Sequence, residues 1–297
     1  MLTPPGSLRK RLDDISKQFT GAGWKNLPQE LVDKILGYLL DDPDALKACS
    51  RTCKHLFGAT RPIIHRRVCL ASKPTRMERP KPKGSLFSLR RGGHETFERL
   101  VHADRLGLLR YIRYLTFKTE DDSFTPENMQ KYLSHLQSIT NLHTLALSPF
   151  SIHPFIPVFH ECFGMFTTTL RHLDIRRACG TGEQLLYAIS QFPLLEDLTV
   201  VSPTVAVVHP GNRPPAITQS PPLRGTLVLV GVDSRELFEG LGALPGGLNS
   251  RSLELFQCEY SQIVLNACSH SVTSISYVRA WNDSCESSCY VQMLITM

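Results

Sequence analysis

The chain has 297 residues, of which 42% are hydrophobic and 20% are charged. This composition is typical of a globular protein and excludes wholesale disorder, a collagen-like chain or a membrane-protein composition. The length predicts one or two domains with a sizeable core. The nine cysteines are an odd number and too few for a disulfide framework in a chain of this size, so we expect free thiols in a reducing compartment.

Residues 1–24 read as a tail. They become charged almost at once, unlike a signal peptide, and no uncharged apolar stretch approaches the ~18 residues needed to cross a bilayer. We therefore expect a soluble protein of the cytoplasm, the nucleus or both, with no membrane partner. The tail carries one apolar stripe, which predicts a short amphipathic helix: Leu8, Leu12, Ile15 and Phe19. We favour packing of this helix on its own domain over binding to a partner.

Residues 25–70 read as three short helices. In the first, Leu31, Ile35 and Leu39 recur every four residues, and Pro28 suits a first-turn position. The second begins at Asp42, and the third is expected from residue 62 to residue 67. The second helix has an apolar stripe made of Leu46, Cys49, Cys53, Leu56 and Phe57. A unit this small does not bury such stripes well by itself, which favours a protein partner that completes the core.

Residues 71–95 are rich in proline, glycine and basic residues, and they predict an exposed linker. Residues 61–113 hold 14 Lys or Arg against four acidic residues, so the net charge of +6 belongs to one segment. Such a segment could bind an acidic partner or a nucleic acid, or act as a nuclear localisation run. Because residues 72–91 contain a single aromatic residue, Phe87, a solvated linker is favoured and nucleic acid binding is not expected.

Residues 96–297 contain a repeated strand pattern of the LxxLxL kind. Its central positions are separated by 22–30 residues, and helical patterns lie between several strands, at residues 125–136, 233–241 and 261–268. This periodicity predicts an irregular leucine-rich-repeat solenoid with a concave parallel sheet, and an insertion loop at residues 203–222. An ordinary α/β domain with leucine-rich buried strands is the alternative. The seven predicted strands centre on Leu115, Leu145, Leu173, Leu198, Leu227, Leu253 and Ile275.

Residues that could carry catalysis are scarce. No nucleophile elbow, zinc-protease motif or phosphate-binding loop is present in the sequence. Two cysteine pairs, Cys49 with Cys53 and Cys285 with Cys289, have the i, i+4 spacing, and His153, His160 and Cys162 could complete a metal site. Packing is favoured for the first pair because it lies on the apolar stripe. We therefore predict a protein that is not an enzyme, with no catalytic residue, no metal and no cofactor.

The order of features at residues 25–66 resembles an F-box. The residues that carry this resemblance are Leu27-Pro28-x-Glu30-Leu31, then Ile35 and Leu39, then Leu46, Cys49 and Cys53-Lys54. In that family a three-helix module docks onto the Skp-type adaptor of a cullin–RING ubiquitin ligase, and a leucine-rich solenoid often follows as the substrate receptor. The combination is similar to the large F-box sets of mushroom-forming fungi. One departure is Leu56, which stands where the family often has tryptophan.

The resemblance implies a substrate-recognition subunit of a Skp–cullin–F-box ubiquitin ligase, in which the adaptor bridges to the ligase and the solenoid binds a protein substrate. A stand-alone solenoid that binds an acidic partner or nucleic acid through the basic linker is the alternative. On the solenoid, we expect substrate contacts from sheet residues such as Thr144, Asp174 and Thr199. The expected adaptor-facing or core positions, which the stripe alone does not divide between the two roles, are Leu27, Pro28, Leu31, Ile35, Leu39, Leu46, Cys49, Cys53 and Phe57.

Overall fold

The computed structural model shows a mixed α/β chain that divides into two compact units, residues 1–66 and residues 67–297. The predicted tail at 1–24 and residues 72–95 of the predicted linker lie outside the described residues. The same holds for Cys285 and Cys289. The structure describes residues 27–40, 42–71, 100–118, 125–205, 214–217, 221–244, 247–268, 270–278 and 293–296.

The first unit consists of three helices: α1 (Gln29–Gly37), α2 (Pro43–Thr52) and α3 (Lys54–Ile64). The Asp42 carboxylate caps α2 by accepting hydrogen bonds from the backbone N–H groups of residues 44 and 45, at 3.1 and 2.9 Å. Cys53 separates α2 from α3 with an extended backbone, and its thiol accepts from the Leu56 N–H at 3.5 Å. The predicted second helix through Phe57 and third helix at 62–67 are therefore wrong, because the break comes at Cys53.

The core of the first unit is small. Four side chains are almost completely buried: Val32 and Leu36 on α1, Leu46 on α2 and Leu56 on α3. Thr60 is the one fully buried polar residue of this unit among those described, and its hydroxyl donates to the Leu56 carbonyl at 2.8 Å. A core of this size leaves much of the apolar surface of the three helices outside it.

The second unit is built on a nine-stranded sheet. Its first eight strands are parallel, and the ninth pairs antiparallel with the eighth. In spatial order the strands are β1 (Arg67–Ala71), β2 (Tyr114–Lys118), β3 (Thr144–Leu147), β5 (His172–Arg176), β7 (Asp197–Val201), β9 (Thr226–Val230), β10 (Ser252–Phe256), β11 (Ser274–Val278) and β12 (Met293–Thr296). The seven predicted strands are confirmed as β2, β3, β5, β7, β9, β10 and β11.

The sheet begins earlier in the chain than the sequence predicts. Strand β1 covers the last residues of the predicted F-box, and it pairs in parallel with β2, Val68 opposite Leu115 and Leu70 opposite Phe117. Two residues separate α3 from β1. The basic segment at 72–94 therefore connects two neighbouring strands of one sheet, and the prediction that it joins the two domains is wrong.

Successive repeats of the second unit share a local geometry. The residue after the strand has a positive φ angle in four consecutive repeats, namely Arg177, Ser202, Gly231 and Gln257. The backbone ladder also extends one residue before the strands, since Arg171 N–H donates to the His143 carbonyl and Thr273 N–H to the Arg251 carbonyl. The strands are thus the same element placed repeatedly side by side.

Six described helices lie between the strands: α4 (Pro126–Gln130), α5 (Leu133–Gln137), α6 (Phe159–Phe163), α7 (Gly182–Ser190), α8 (Arg235–Gly242) and α9 (Ser261–Cys268). Residues 100–105 are also helical, and 3-10 turns occupy Leu109–Tyr111, His153–Val158 and Gly164–Phe166. The predicted helix at 125–136 is split into α4 and α5. Ser234 caps α8, because its hydroxyl accepts a hydrogen bond from the Leu237 N–H at 3.3 Å.

A second, three-stranded parallel sheet follows the strands of the middle repeats: β4 (Phe150–Ser151), β6 (Ala178–Gly180) and β8 (Thr204–Val205). Close to it, the core is filled by phenylalanines, with ring centroids 4.7 Å apart for Phe159 and Phe163 and 4.9 Å apart for Phe150 and Phe155. Strand β8 lies inside the predicted insertion loop at 203–222, which connects β7 to β9.

Candidate docking surfaces

The first unit exposes large apolar side chains next to its small core. Leu31 and Ile35 of α1 and the residue that caps its C-terminus, Tyr38, have the i, i+4, i+7 spacing, and because Tyr38 has helical backbone angles the three lie on the same side. Tyr38 is 80% exposed and Leu31 is 47% exposed. Leu40, after the helix, and Phe57, on α3, are exposed as well. We call these five residues the apolar patch. Exposed apolar side chains grouped on one small module indicate a protein-binding surface.

The structure divides the nine predicted docking residues into three groups. Leu31, Ile35 and Phe57 are exposed and belong to the apolar patch, and Pro28 is exposed just before α1. Leu46 is buried in the core, so it stabilises the module. The remaining residues are partly buried against that core: Leu27, Leu39, Cys49 and Cys53.

Phe57 is held by a neighbouring cation. The Arg61 guanidinium lies 4.2 Å from the centre of the Phe57 ring, one turn further along α3. This contact restrains the ring while leaving 44% of the residue exposed. A partner therefore meets an aromatic side chain that has already lost part of its rotamer freedom, which lowers the entropic cost of docking.

A groove lies between α1 and α3. Its lining includes Gln29 and Asp33 on α1 and Lys54, His55 and Ile63 on α3. The Nε2 atom of His55 is buried and has no hydrogen-bond partner among the described residues. The groove thus combines polar side chains with the apolar Ala59, Pro62 and Ile63 of α3.

Sequence reasoning missed several residues of this module. Val32 and Leu36 form the core-facing stripe of α1, whereas the predicted stripe of Leu31 and Ile35 faces outward. Both stripes have the same spacing, and they lie about 100° apart around the helix. Leu36 and Leu40 widen the predicted stripe in the sequence, and the structure buries Leu36 and exposes Leu40. Tyr38, also exposed, was not predicted, although it belongs to a run of large apolar residues longer than one core-facing stripe needs.

The predicted substrate contacts of the second unit lie on one side of the sheet. Thr144, Asp174 and Thr199 alternate with buried residues of their strands, so they belong to the side opposite the core, and Asp174 is paired in register with Thr199. We call this side the open face. Two pairs of polar side chains contact each other on this face: Arg176 Nε contacts the two Asp174 carboxylate oxygens at 2.8 and 3.0 Å, and His172 pairs with Asp197.

No cluster of three metal-binding side chains is found in the described part of the chain, and none of its helices has the length and apolarity to span a bilayer. Burial explains the cysteines instead. Desolvation, with a smaller contribution from Glu161, raises the pKa of the Cys162 thiol to about 11, and desolvation raises that of Cys268 to about 11. Buried neutral thiols of this kind are poor nucleophiles and poor metal ligands.

We expect Cys162 and Cys268 to resist alkylation in the folded protein at pH 8. We also expect them to lower the stability of the folded state at high pH. Because their pKa values lie above the unfolded value of 9.0, the unfolded state loses these protons first as pH rises. The free energy of unfolding should therefore fall between pH 9 and pH 11. Iodoacetamide labelling read by peptide mass spectrometry, together with urea titrations across this range, checks both statements. Rapid labelling of both thiols at pH 8 in the folded chain would contradict them.

Comparison with known families identifies the first unit. A family profile described as F-box-like matches residues 24–71, which includes the three helices, the apolar patch and strand β1. No curated protein matches the chain. The chain therefore contains an F-box-like domain, and F-box domains typically bind Skp-type adaptors. The match points to an adaptor-binding component of a Skp–cullin–F-box type ligase. The predicted F-box is confirmed at this level.

Proposed function

We propose that the chain is a substrate-recognition subunit of a Skp–cullin–F-box type ubiquitin ligase, in which the first unit binds the adaptor and the second binds the substrate. The observation that carries this proposal is the apolar patch on an F-box-like domain. Five large apolar side chains are exposed beside a core of four. Burying them against a partner is favourable by about 25 cal/mol for each Å² of apolar surface removed from water.

The second unit supports the receptor role through its repeats. The second unit has three features expected of a leucine-rich-repeat solenoid. Its parallel strands follow the order of the chain, helices lie between strands, and in four consecutive repeats the residue after the strand has a positive φ angle. One repeat also has the buried cysteine of that repeat type: the Cys258 thiol contacts the Leu229 carbonyl of the neighbouring strand at 3.3 Å. We therefore interpret the second unit as an irregular solenoid of this class whose open face binds substrate.

In this proposal the chain performs no catalysis. Its contribution is a raised effective concentration of substrate lysines near the ligase to which the adaptor connects it. The site of action is the cytoplasm, the nucleus or both, where free thiols such as Cys162 and Cys268 remain reduced. Similarity to the F-box sets of mushroom-forming fungi remains a prediction.

The test is adaptor binding by the full chain and by Leu31→Asp. Leu31 is exposed, so the charge does not enter the core and the fold should persist, while the apolar patch gains a carboxylate that must be desolvated on docking. We expect adaptor affinity to fall about 100-fold or more, because a hot-spot side chain is worth at least ~2–3 kcal/mol. Isothermal titration calorimetry with the purified adaptor measures this change.

Thr116→Asp is the control. It adds the same carboxylate at a partly exposed position on β2 of the second unit, outside the F-box-like domain. Its adaptor affinity should stay within about twofold of the unmodified chain, a difference of ~0.4 kcal/mol. Equal binding by Leu31→Asp and the unmodified chain, or no binding by either, would remove the ligase proposal and favour a stand-alone binding module.

A further inference from the structure

The open face divides into two chemically different parts. On β5 and the start of β7 the charged residues pair with each other, as Arg176 does with Asp174 and His172 with Asp197. On β9, β10 and the end of β7, four apolar side chains occupy the same side of the sheet, which we call the apolar strip: Val201, Val228, Val230 and Phe256.

The members of the apolar strip are neighbours by register. Val201 pairs with Val230, and Val230 pairs with Phe256, so three adjacent strands present apolar groups at one level. Each is half-buried, while the intervening residues of the same strands, such as Val200 and Leu229, are fully buried in the core. With strands about 4.8 Å apart, the row spans ~10 Å across the sheet. It is an apolar surface that the core does not use.

A carboxylate without an ion pair among the described residues borders the apolar strip. Glu254 lies on the open face between Ser252 and Phe256, and it is in register with Val228. No described residue forms an ion pair with its carboxylate, in contrast to Asp174 and Asp197 on the same face. A carboxylate beside an apolar surface is complementary to a basic side chain that arrives together with apolar ones.

The backbone of the sheet restricts the conformation of the ligand. Strands β7, β9 and β10 each have a hydrogen-bonded neighbour on both sides, so their N–H and C=O groups are engaged within the sheet. An extended segment lying on this face would find no backbone partners there, whereas a helix satisfies its own backbone groups. Helix positions i, i+4 and i+7 span about 10 Å along the axis, which equals the width of the strip.

We propose that the apolar strip and Glu254 together dock an amphipathic helix of a partner protein. The helix carries apolar side chains at i, i+4 and i+7 and a lysine or arginine beside that stripe, which pairs with Glu254. This inference rests on the proposed function, since the helix would belong to the substrate. It names the class of segment that the receptor recognises and the strands that recognise it.

The experiment selects helices on the full-length chain. A phage-displayed library of helical peptides of roughly 18 residues, randomised on one side, is the probe, since that length spans about 27 Å and exceeds the strip. We expect enrichment of peptides with an apolar stripe and one basic residue. Their affinity should fall about tenfold or more for Val230→Asp and for Glu254→Lys, a change equivalent to ~1.4 kcal/mol. Exchanging the basic residue of the peptide for glutamate should restore binding to Glu254→Lys.

Thr116→Asp is the matched control, because it adds the same charge to the open face on β2, away from the strip, and should leave peptide affinity unchanged. Failure to enrich any peptide, equal binding to Val230→Asp, or an extended consensus rich in proline would overturn the proposal. Self-association of the unmodified chain that is lost in Val230→Asp would also overturn it, because a second copy would then cover the strip.

Adaptor titrations on the same variants separate this inference from the proposed function. Leu31→Asp should lose the adaptor and keep the selected peptides, and Val230→Asp should do the reverse. If Val230→Asp bound the selected peptides as tightly as the unmodified chain does, while both still bound the adaptor, the helix-docking proposal would be wrong and the proposed function would stand.

Discussion

Leu173→Asp should unfold the second unit while the F-box-like domain continues to bind the adaptor. Leu173 is the second residue of β5, is 2% exposed, and has the strands β3 and β7 on either side. An unpaired carboxylate buried there costs ~3–5 kcal/mol, a large fraction of the 5–15 kcal/mol that stabilises typical domains. Because the strands are stacked repeats, the loss should spread to neighbouring ones. Hydrogen exchange read by mass spectrometry, with adaptor titration in parallel, measures both effects.

Thr144→Asp is the comparison for this substitution. It introduces the same group on the adjacent strand β3, but on the open face, where water still reaches it. Exchange protection in this variant should remain close to that of the unmodified chain. If Leu173→Asp also abolished adaptor binding, the two units would be one cooperative domain, contrary to their separation at residue 66.

The second large effect concerns strand β1. A fragment of residues 67–297 should fold cooperatively, whereas a fragment of residues 96–297, which starts where the sequence pattern places the domain, should be strongly destabilised and aggregate. The shorter fragment lacks Val68 and Leu70, whose burial stabilises by about 1.5–3 kcal/mol for each side chain. It also turns β2 into an unprotected edge strand. Thermal unfolding followed by circular dichroism and light scattering distinguishes the two fragments.

A fragment of residues 72–297 isolates the cause. It keeps the basic segment and lacks only β1, so its melting temperature should match that of the 96–297 fragment. Equal stability of all three fragments would show that β1 contributes nothing to the sheet.

The strands of the second unit could be predicted because apolar pairs with the LxL spacing recur at intervals of 22–30 residues. Strand β1 was not predicted because Val68 lies 47 residues before Leu115, outside that interval, and directly after a helical module. Helix α7 was not predicted either, although Thr181 and Gln184 form a reciprocal capping box at its start. Short elements give the sequence pattern too few positions to decide between helix and strand.

The F-box-like module shows a different limit. Its exposed apolar surface could be predicted from apolar stripes in excess of what a small unit can bury. The division of α1 into the core side of Val32 and Leu36 and the outer side of Leu31 and Ile35 could not. Both stripes are apolar, but only the stripe of Val32 and Leu36 lies in the core. The spacing of the apolar residues is the same in both stripes, so it does not indicate which of them is buried.

The crossing from β1 to β2 has a practical consequence. The entropic cost of closing a loop rises by only about 0.6 kcal/mol for each doubling of its length, and the composition of residues 72–94 predicts a linker, so we expect a fluorescent protein or an affinity tag to be tolerated there with little thermodynamic penalty. The two-residue step between α3 and β1 offers no comparable room, because both ends are fixed in regular structure. Reporters placed in this segment would leave the three helices of the F-box-like domain and the open face of β9 and β10 unaltered in sequence.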